Sequence, residues 1–341
     1  MTVEHEIDGA DKPATHKAEP DLTGQAGYLI ATAARAPSVH NTQPWRFRVS
    51  GQKVEVYSDP SRKLKVDPLG REMLISCGAA LFGLRLAIRS LGYQTVVELF
   101  PDPSSLRLLA QVRLGAAAPM TERERAMLEA VPHRHTHRGP FDPGPLPDGL
   151  LAGLQHDALT EGATLAIIGE HSYGKLVALA RPASQARDHD RLTQAEVRRW
   201  TRAAGDRARD GVPAQAFPAR PGGSPTRLPQ RDFDLGRGFG LLPTGDPPAM
   251  TAALLTRGDG REDWLRAGQA LHRLLLHATT RWVFASLYTQ PLEADAIRRQ
   301  IRASLVLPGW PQVLLELGIA RTSATTARRP FSELIEPLTA P

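Results

Sequence analysis

A chain of 341 residues with 41% hydrophobic and 23% charged side chains has the composition of a soluble globular protein, and enough length for two domains or one large duplicated unit. Its formal charge of +6 is spread over 42 Lys+Arg interleaved with 36 Asp+Glu, with no basic block alternating with aromatics, which argues against a nucleic-acid partner. The single cysteine, Cys77, excludes an intrachain disulfide and fits a reducing cytoplasm.

In chain order, residues 1–23 read as a flexible, polar N-terminus with no apolar run of signal-peptide type, and no stretch is expected to reach membrane-spanning length. Tyr28 to Ala34 predicts a short helix, and Trp45 to Val49 alternates as a strand. Between them lies Pro37-Ser38-Val39-His40-Asn41-Thr42-Gln43-Pro44-Trp45, where the prolines stop the helix and stiffen the turn. Asn41 is the only asparagine in the chain. Ser38, His40, Asn41 and Gln43 therefore stand either on a binding loop or in an ordinary turn whose side chains cap backbone groups.

Glu72 to Leu91 predicts a long, mostly apolar helix in which Cys77 packs inertly, followed by a strand from Thr95 to Phe100. A capped helix and then a basic cluster occupy Pro119 to Arg138. In His133-Arg134-His135-Thr136-His137-Arg138, an extended backbone puts Arg134, Thr136 and Arg138 on one side, a set suited to a phosphate. The opposite parity aligns His133, His135 and His137, which could hold a transition metal, although no HExxH or CxxC motif accompanies them. A solvated basic edge is the third reading.

Thr164 to Gly169 reads as a strand; Lys175 to Ala180, ended by Pro182, and Thr193 to Arg207 read as helices. The Gly/Pro-rich stretch from Asp210 to Pro248 reads as a lid or a disordered loop, and its Gly236 to Gly240 run is a poor dinucleotide fingerprint. A second long apolar helix follows from Asp263 to Arg281, then a strand from Val283 to Tyr288.

The two long helices share more than character. Gly78 to Leu86 aligns with Gly268 to Leu276 at an offset of 190 positions, and each is followed by a strand. Such a repeat suggests two similar halves, 24–118 and 119–341, resembling a dimer fused into one chain. Two unrelated buried Ala/Leu helices would also look alike.

The motifs themselves carry a resemblance. Pro37 to Trp45 resembles the PSSxNxQPW motif of the nitroreductase superfamily, and Arg134-His135-Thr136-His137-Arg138 resembles its R-x-S-x-R/K phosphate-binding opening. Gly268 to Leu276, Thr289-Gln290-Pro291-Leu292-Glu293 and Arg328-Arg329-Pro330 look like its later segments. Here the PSxxN turn precedes the arginine segment, the reverse of ordinary nitroreductases, and with the long insertion this arrangement is similar to the Acg family of FMN-binding oxidoreductases.

The resemblance implies an α+β nitroreductase-like fold, FMN as cofactor, one flavin per chain and the second site lost. It implies that Arg134, Thr136 and Arg138, with Arg328 or Arg329, hold the phosphate, that Ser38, His40 and Asn41 lie along the isoalloxazine edge, and that the Thr289-Gln290 backbone approaches N5. NADPH or NADH would be the donor and a nitroaromatic or quinone the small-molecule acceptor, in a monomeric pseudo-dimer or a homodimer. Val39 and Trp282 depart from the family pattern; a bulky Trp282 is expected in or near the pocket. The rival reading on the same residues is a lidded FMN store with little turnover, and a metal enzyme built on the histidine strand is the third.

Overall fold

The computed structural model describes residues 21–139, 141–203, 205–216, 228–233, 235, 249–320 and 326–337. The expected flexible N-terminus lies almost wholly outside these residues, as do Gly236 to Gly240 and most of the expected lid.

The first part of the chain carries helix α1 (Ala26–Ala33), the hairpin β1 (Trp45–Ser50) and β2 (Lys53–Ser58), the long helix α2 (Arg71–Ser90), and strands β3 (Tyr93–Leu99) and β4 (Leu108–Ala117). Helix α3 (Glu122–Ala130) is opened by a capping box between Thr121 and Glu124. Then come α4 (Leu150–Thr160), β5 (Ala163–Ile167), α5 (Glu170–His189), α6 (Arg191–Arg199) and the two-residue strands β6 (Thr201–Arg202) and β7 (Val212–Pro213). The remainder is β8 (Met250–Thr256), α7 (Arg261–Thr279), β9 (Val283–Tyr288), α8 (Asp295–Ser304), β10 (Trp310–Ile319) and a single turn, α9 (Phe331–Leu334).

Both four-stranded sheets are antiparallel, ordered β1-β2-β4-β3 and β5-β8-β10-β9. In each, the chain visits the strands in the same sequence, with a long apolar helix, α2 or α7, between the second and third strands. One continuous apolar core joins the two sheets through α2 and α7. The fold is α+β.

These helices cross at glycines. A Cβ on Gly78 would stand 2.0 Å from the Leu265 carbonyl oxygen, and one on Gly268 would stand 1.9 Å from the Ile75 carbonyl oxygen. Leu265 lies 190 positions after Ile75, as Gly268 does after Gly78, so each helix meets the other through equivalent residues. Beside the crossing, His272 packs edge-on against Phe82 at 5.8 Å, again a pair 190 positions apart.

His272 is fully buried, with Nδ1 at 2.7 Å from the Ala79 carbonyl oxygen to which it donates. Burial, then the nearby Arg134 guanidinium, hold its pKa down to about 3. The unfolded chain therefore takes up this proton first as pH falls, so the stability is present above the ordinary histidine pKa and lost as pH drops towards 3. Urea midpoints are expected to decline below about pH 6.5. His272→Phe should flatten part of that decline, with His135, also held down to about 4 by burial, supplying another part.

Several expectations need correction. Pro182 sits inside α5 rather than ending it; buried Leu176, Val177, Ala180 and Ser184 hold the helix, and Pro182 itself faces solvent. Helix α6 stops at Arg199 instead of reaching Arg207, because Trp200 turns into the core and β6 pairs with β7. Helix α2, at 20 residues and mean hydropathy 1.4, does have the length and composition of a membrane span; 83% of that window is buried in the core it forms. The C-terminal segment crosses back to the first sheet, where Ile335 bridges Phe47 and Glu336 N donates to the Phe47 carbonyl at 2.8 Å.

Candidate functional site

The proline-bracketed turn after α1 is strained. His40, Asn41 and Gln43 have φ of 49°, 54° and 50°, a region rarely used by side chains other than glycine and best tolerated by asparagine. Its neighbours hold it in place. Ser38 Oγ accepts from Gln43 N at 3.0 Å, and Ser76 Oγ of α2 accepts from Val39 N at 3.2 Å. Asn41 Nδ2 donates to the carbonyls of Gly211 at 3.0 Å and Ala327 at 3.2 Å. Gln43 Nε2 donates to Arg209 O at 2.9 Å, while its Oε1 accepts from Arg329 N at 2.8 Å. The lone asparagine thus ties the insertion and the C-terminal segment to the turn, and it does not line the adjacent cavity.

That cavity is walled by Ser38, Val39 and His40 from the turn, Glu72, Ile75 and Ser76 from α2, Thr136 to Arg138, and Ser286 to Gln290 from β9 and the turn after it. Pro229 to Arg231 and Phe233 of the insertion also border it. Phe233 packs edge-on against His40 at 5.3 Å and lies 5.6 Å from the Arg138 guanidinium. Arg231 is ion-paired with Glu293 beneath it. Six of the expected residues, Ser38, His40, Thr136, Arg138, Thr289 and Gln290, therefore meet around one space.

The arginine segment runs along the free edge of β9: Thr136 bridges Ala285, and His137 N donates to the Ala285 carbonyl at 2.9 Å. Arg134 is 7% exposed and donates through Nη2 to Arg35 O at 3.2 Å, while its Nε and Nη1 have no partner among the described residues. Arg328 donates to the carbonyls of Ala34, Arg35 and Ala36. Among the described residues, none of Arg134, Arg138 and Arg328 makes a salt bridge. Burial, with Arg138 and Arg35 adding repulsion, holds Arg134 down to about 10; burial holds Arg138 to about 10; burial, Arg134 and Arg35 hold Arg328 to about 9. Crowded, desolvated guanidiniums without a carboxylate form a site for an anion with several acceptor oxygens.

Other expected residues stand elsewhere. Arg134 and Arg328 do not line the cavity, and Arg329 is tied to Glu333 at 3.0 Å and to the Gln43 carbonyl at 3.2 Å. His135 is buried, its ring 4.4 Å from Phe284, and its Nδ1 lies 3.1 Å from the His133 carbonyl. His133 stacks near Trp282 and His137 near Phe141, and among the described residues no group of His, Cys, Asp or Glu converges as for a metal. Trp282 is 54% exposed and outside the cavity, contrary to expectation. Its φ of 55° matches the left-handed Gly92, 190 positions earlier, after the equivalent helix.

Sequence reasoning did not single out Glu72, Arg231 or Phe233. Glu72 is 3% exposed, and its Oε2 has no partner among the described residues. Burial, then the charge of Glu293, push its carboxyl up to about 7 against the opposing pull of Arg71. A carboxylate at the start of a long apolar helix was the one available signal for it.

No family model matches the chain. Among curated proteins, it is 33% identical over 339 residues to the Mycobacterium tuberculosis protein named "Putative NAD(P)H nitroreductase Rv3131", covering 97% of this chain and 96% of that protein. The chain belongs to the nitroreductase family. Within it, the relatives include "Putative NAD(P)H nitroreductase acg" of the same organism, 29% identical over 311 residues, with 89% of this chain and 93% of that protein covered. Solved structures similar to it include a "putative nitroreductase" of Anabaena variabilis, at TM-score 0.49 and 10% identity over 89% of this chain and 90% of that one. Another is the FMN-dependent nitroreductase NfnB of Mycobacterium smegmatis in complex with NADPH, at TM-score 0.39 and 14% identity over 63% of this chain and 99% of that one.

Proposed function

We propose that this protein is an FMN-dependent NAD(P)H oxidoreductase of nitroreductase type, acting on a small electron-poor acceptor such as a nitroaromatic or quinone. The carrying observation is the set of guanidiniums, buried Arg134 with half-buried Arg138 and Arg328, none in a salt bridge among the described residues, beside a cavity edged by Ser38, His40, Thr136, Thr289 and Gln290. The orphaned Nε and Nη1 of Arg134 fit a dianionic phosphate, which would supply the acceptors the protein lacks.

When bound, the flavin supplies the hydride chemistry, and the chain's contribution is binding, orientation and exclusion of water. Arg134, Thr136 and Arg138 are assigned the phosphate, Arg328 strengthens the positive field behind them, and Ser38, His40, Thr289 and Gln290 border the ring. Asn41 and Arg329 act one step back by holding the strained turn, and His135 by packing the arginine segment onto Phe284.

The family resemblance, the repeat at 190 positions and the matching strand orders support reading the chain as two fused halves, 24–118 and 119–341, with a lid drawn from about 210–248. On this reading the halves form one flavin site between them, in a cytoplasmic monomer or homodimer with no nucleic-acid or membrane partner. The second reading, flavin storage with little turnover, draws on Phe233 and Arg231 of the insertion lining the cavity.

The test is the visible spectrum of the purified protein before and after adding NADPH or NADH without oxygen. Oxidised-flavin bands that bleach on a catalytic timescale are the expected result. Bands that persist favour storage, and protein that neither carries nor takes up FMN overturns both readings.

A further inference from the structure

Besides both ring nitrogens of His40, already assigned to the flavin border, three polar groups lining the cavity have a hydrogen-bonding atom with no partner among the described residues: Glu72 Oε2, Gln290 Oε1 and Arg231 Nη1. Each of these three is fixed by its other atoms. Gln290 Nε2 donates to Asp188 Oδ1 at 2.8 Å and to Ser184 O at 3.3 Å, which leaves the amide oxygen as a preset acceptor. Arg231 gives Nη2 to Glu293. The other Glu72 oxygen, Oε1, faces Arg71 Nη2 at 3.5 Å. All three side chains are nearly buried, at 3% for Glu72, 4% for Gln290 and 8% for the Arg231 side chain, so none is freely satisfied by bulk water. Leaving such groups unpaired is costly, and a ligand that pairs them is favoured over one that does not.

Two acceptors and one donor, contributed by three separate elements, complement a ligand head with two N–H donors and one carbonyl. A primary carboxamide on a planar ring has that inventory. Resting on the reading of the cavity as an oxidoreductase site, we infer that Glu72, Gln290 and Arg231 form the subsite that recognises the carboxamide of the nicotinamide donor. Glu72 and Gln290 accept from its NH₂, and Arg231 donates to its oxygen. The 3-carboxylate analogue has no N–H to offer and brings a negative charge towards Glu72, so the subsite discriminates against it.

Binding rather than turnover is the readout. Flavin-loaded protein is titrated calorimetrically with oxidised nicotinamide dinucleotide and with its nicotinic-acid counterpart, above the pH at which Glu72 ionises. The carboxamide should bind about tenfold or more tightly. In Glu72→Gln the carboxylate form should gain affinity and the gap should narrow to within about threefold, since the repelling charge is gone while the side chain's shape is kept. Equal affinities in the wild type, no binding of either compound, or an undiminished gap in a folded Glu72→Gln protein overturns the inference. Wild-type discrimination tests it even where the variant fails to fold. Flavin bleaching by NAD(P)H in the same preparation is a separate observation: bleaching without discrimination removes this subsite and leaves the oxidoreductase reading standing, and discrimination without bleaching does the reverse.

Discussion

Alanine at Gly78 or at Gly268 is expected to destabilise the protein more than any other single methyl addition in its helices. The new Cβ would lie 2.0 Å from the Leu265 oxygen in one case and 1.9 Å from the Ile75 oxygen in the other, and both obstacles are backbone. Neither can swing aside as a side chain would, so α2 and α7 must separate along the core that joins the two sheets. Overpacking of a core costs about 1–3 kcal/mol when side chains yield; with rigid backbone on the far side, ~3 kcal/mol or more is the expected loss. Because the two contacts are equivalent at an offset of 190 positions, the single variants should lose similar amounts, and the double variant less than their sum, since one helix displacement relieves both clashes. Chemical denaturation of the three proteins measures this. Two single variants as stable as the parent would mean that the helices do not cross there.

Replacing both Arg134 and Arg138 should separate flavin binding from stability in opposite directions. Each guanidinium lost to a phosphate removes charge-assisted hydrogen bonds worth roughly 1.5–3 kcal/mol. The double alanine variant should therefore bind FMN about 10²- to 10⁴-fold more weakly and be purified nearly colourless. Without a ligand, however, buried Arg134 and half-buried Arg138 have no carboxylate partner among the described residues, and burial with repulsion from Arg138 already holds Arg134 to about 10. Arg134→Met with Arg138→Met, which keeps the apolar stems but removes the charges, should melt at a higher temperature than the parent when both are flavin-free. Flavin content unchanged in the alanine pair would remove these residues from the site; a lower melting temperature in the methionine pair would mean that the charges have partners in solution.

How far the sequence reveals this protein depends on the range of each interaction. The two long helices and their following strands are legible because burial repeats along the chain, and the glycine at the start of each copy marks the close crossing. Helix α3 is legible from Thr121 and Glu124, whose mutual capping is settled within four residues. Pro182 misleads because tertiary packing of Leu176, Val177 and Ala180 outweighs a local helix breaker on the solvent side.

The site divides in the same way. Motif resemblance places Ser38, His40, Thr136, Arg138, Thr289 and Gln290 together, and the cavity holds all six. Asn41 is conspicuous as the only asparagine in the chain, yet its amide is taken by carbonyls 170 and 286 positions away, which no local pattern encodes. Arg328 and Arg329 read alike as a dipeptide, but one sits among backbone carbonyls and the other pairs with Glu333.

By itself, then, the sequence determined the helical core, its internal repeat and the turn and arginine segment that mark the family, since these rest on periodicity, capping and contiguous motifs. Tertiary structure alone decided which polar atoms remain unpaired. Glu72, Gln290 and Arg231 come from three distant stretches, and whether each oxygen or nitrogen finds a partner depends on the neighbours that folding delivers to it.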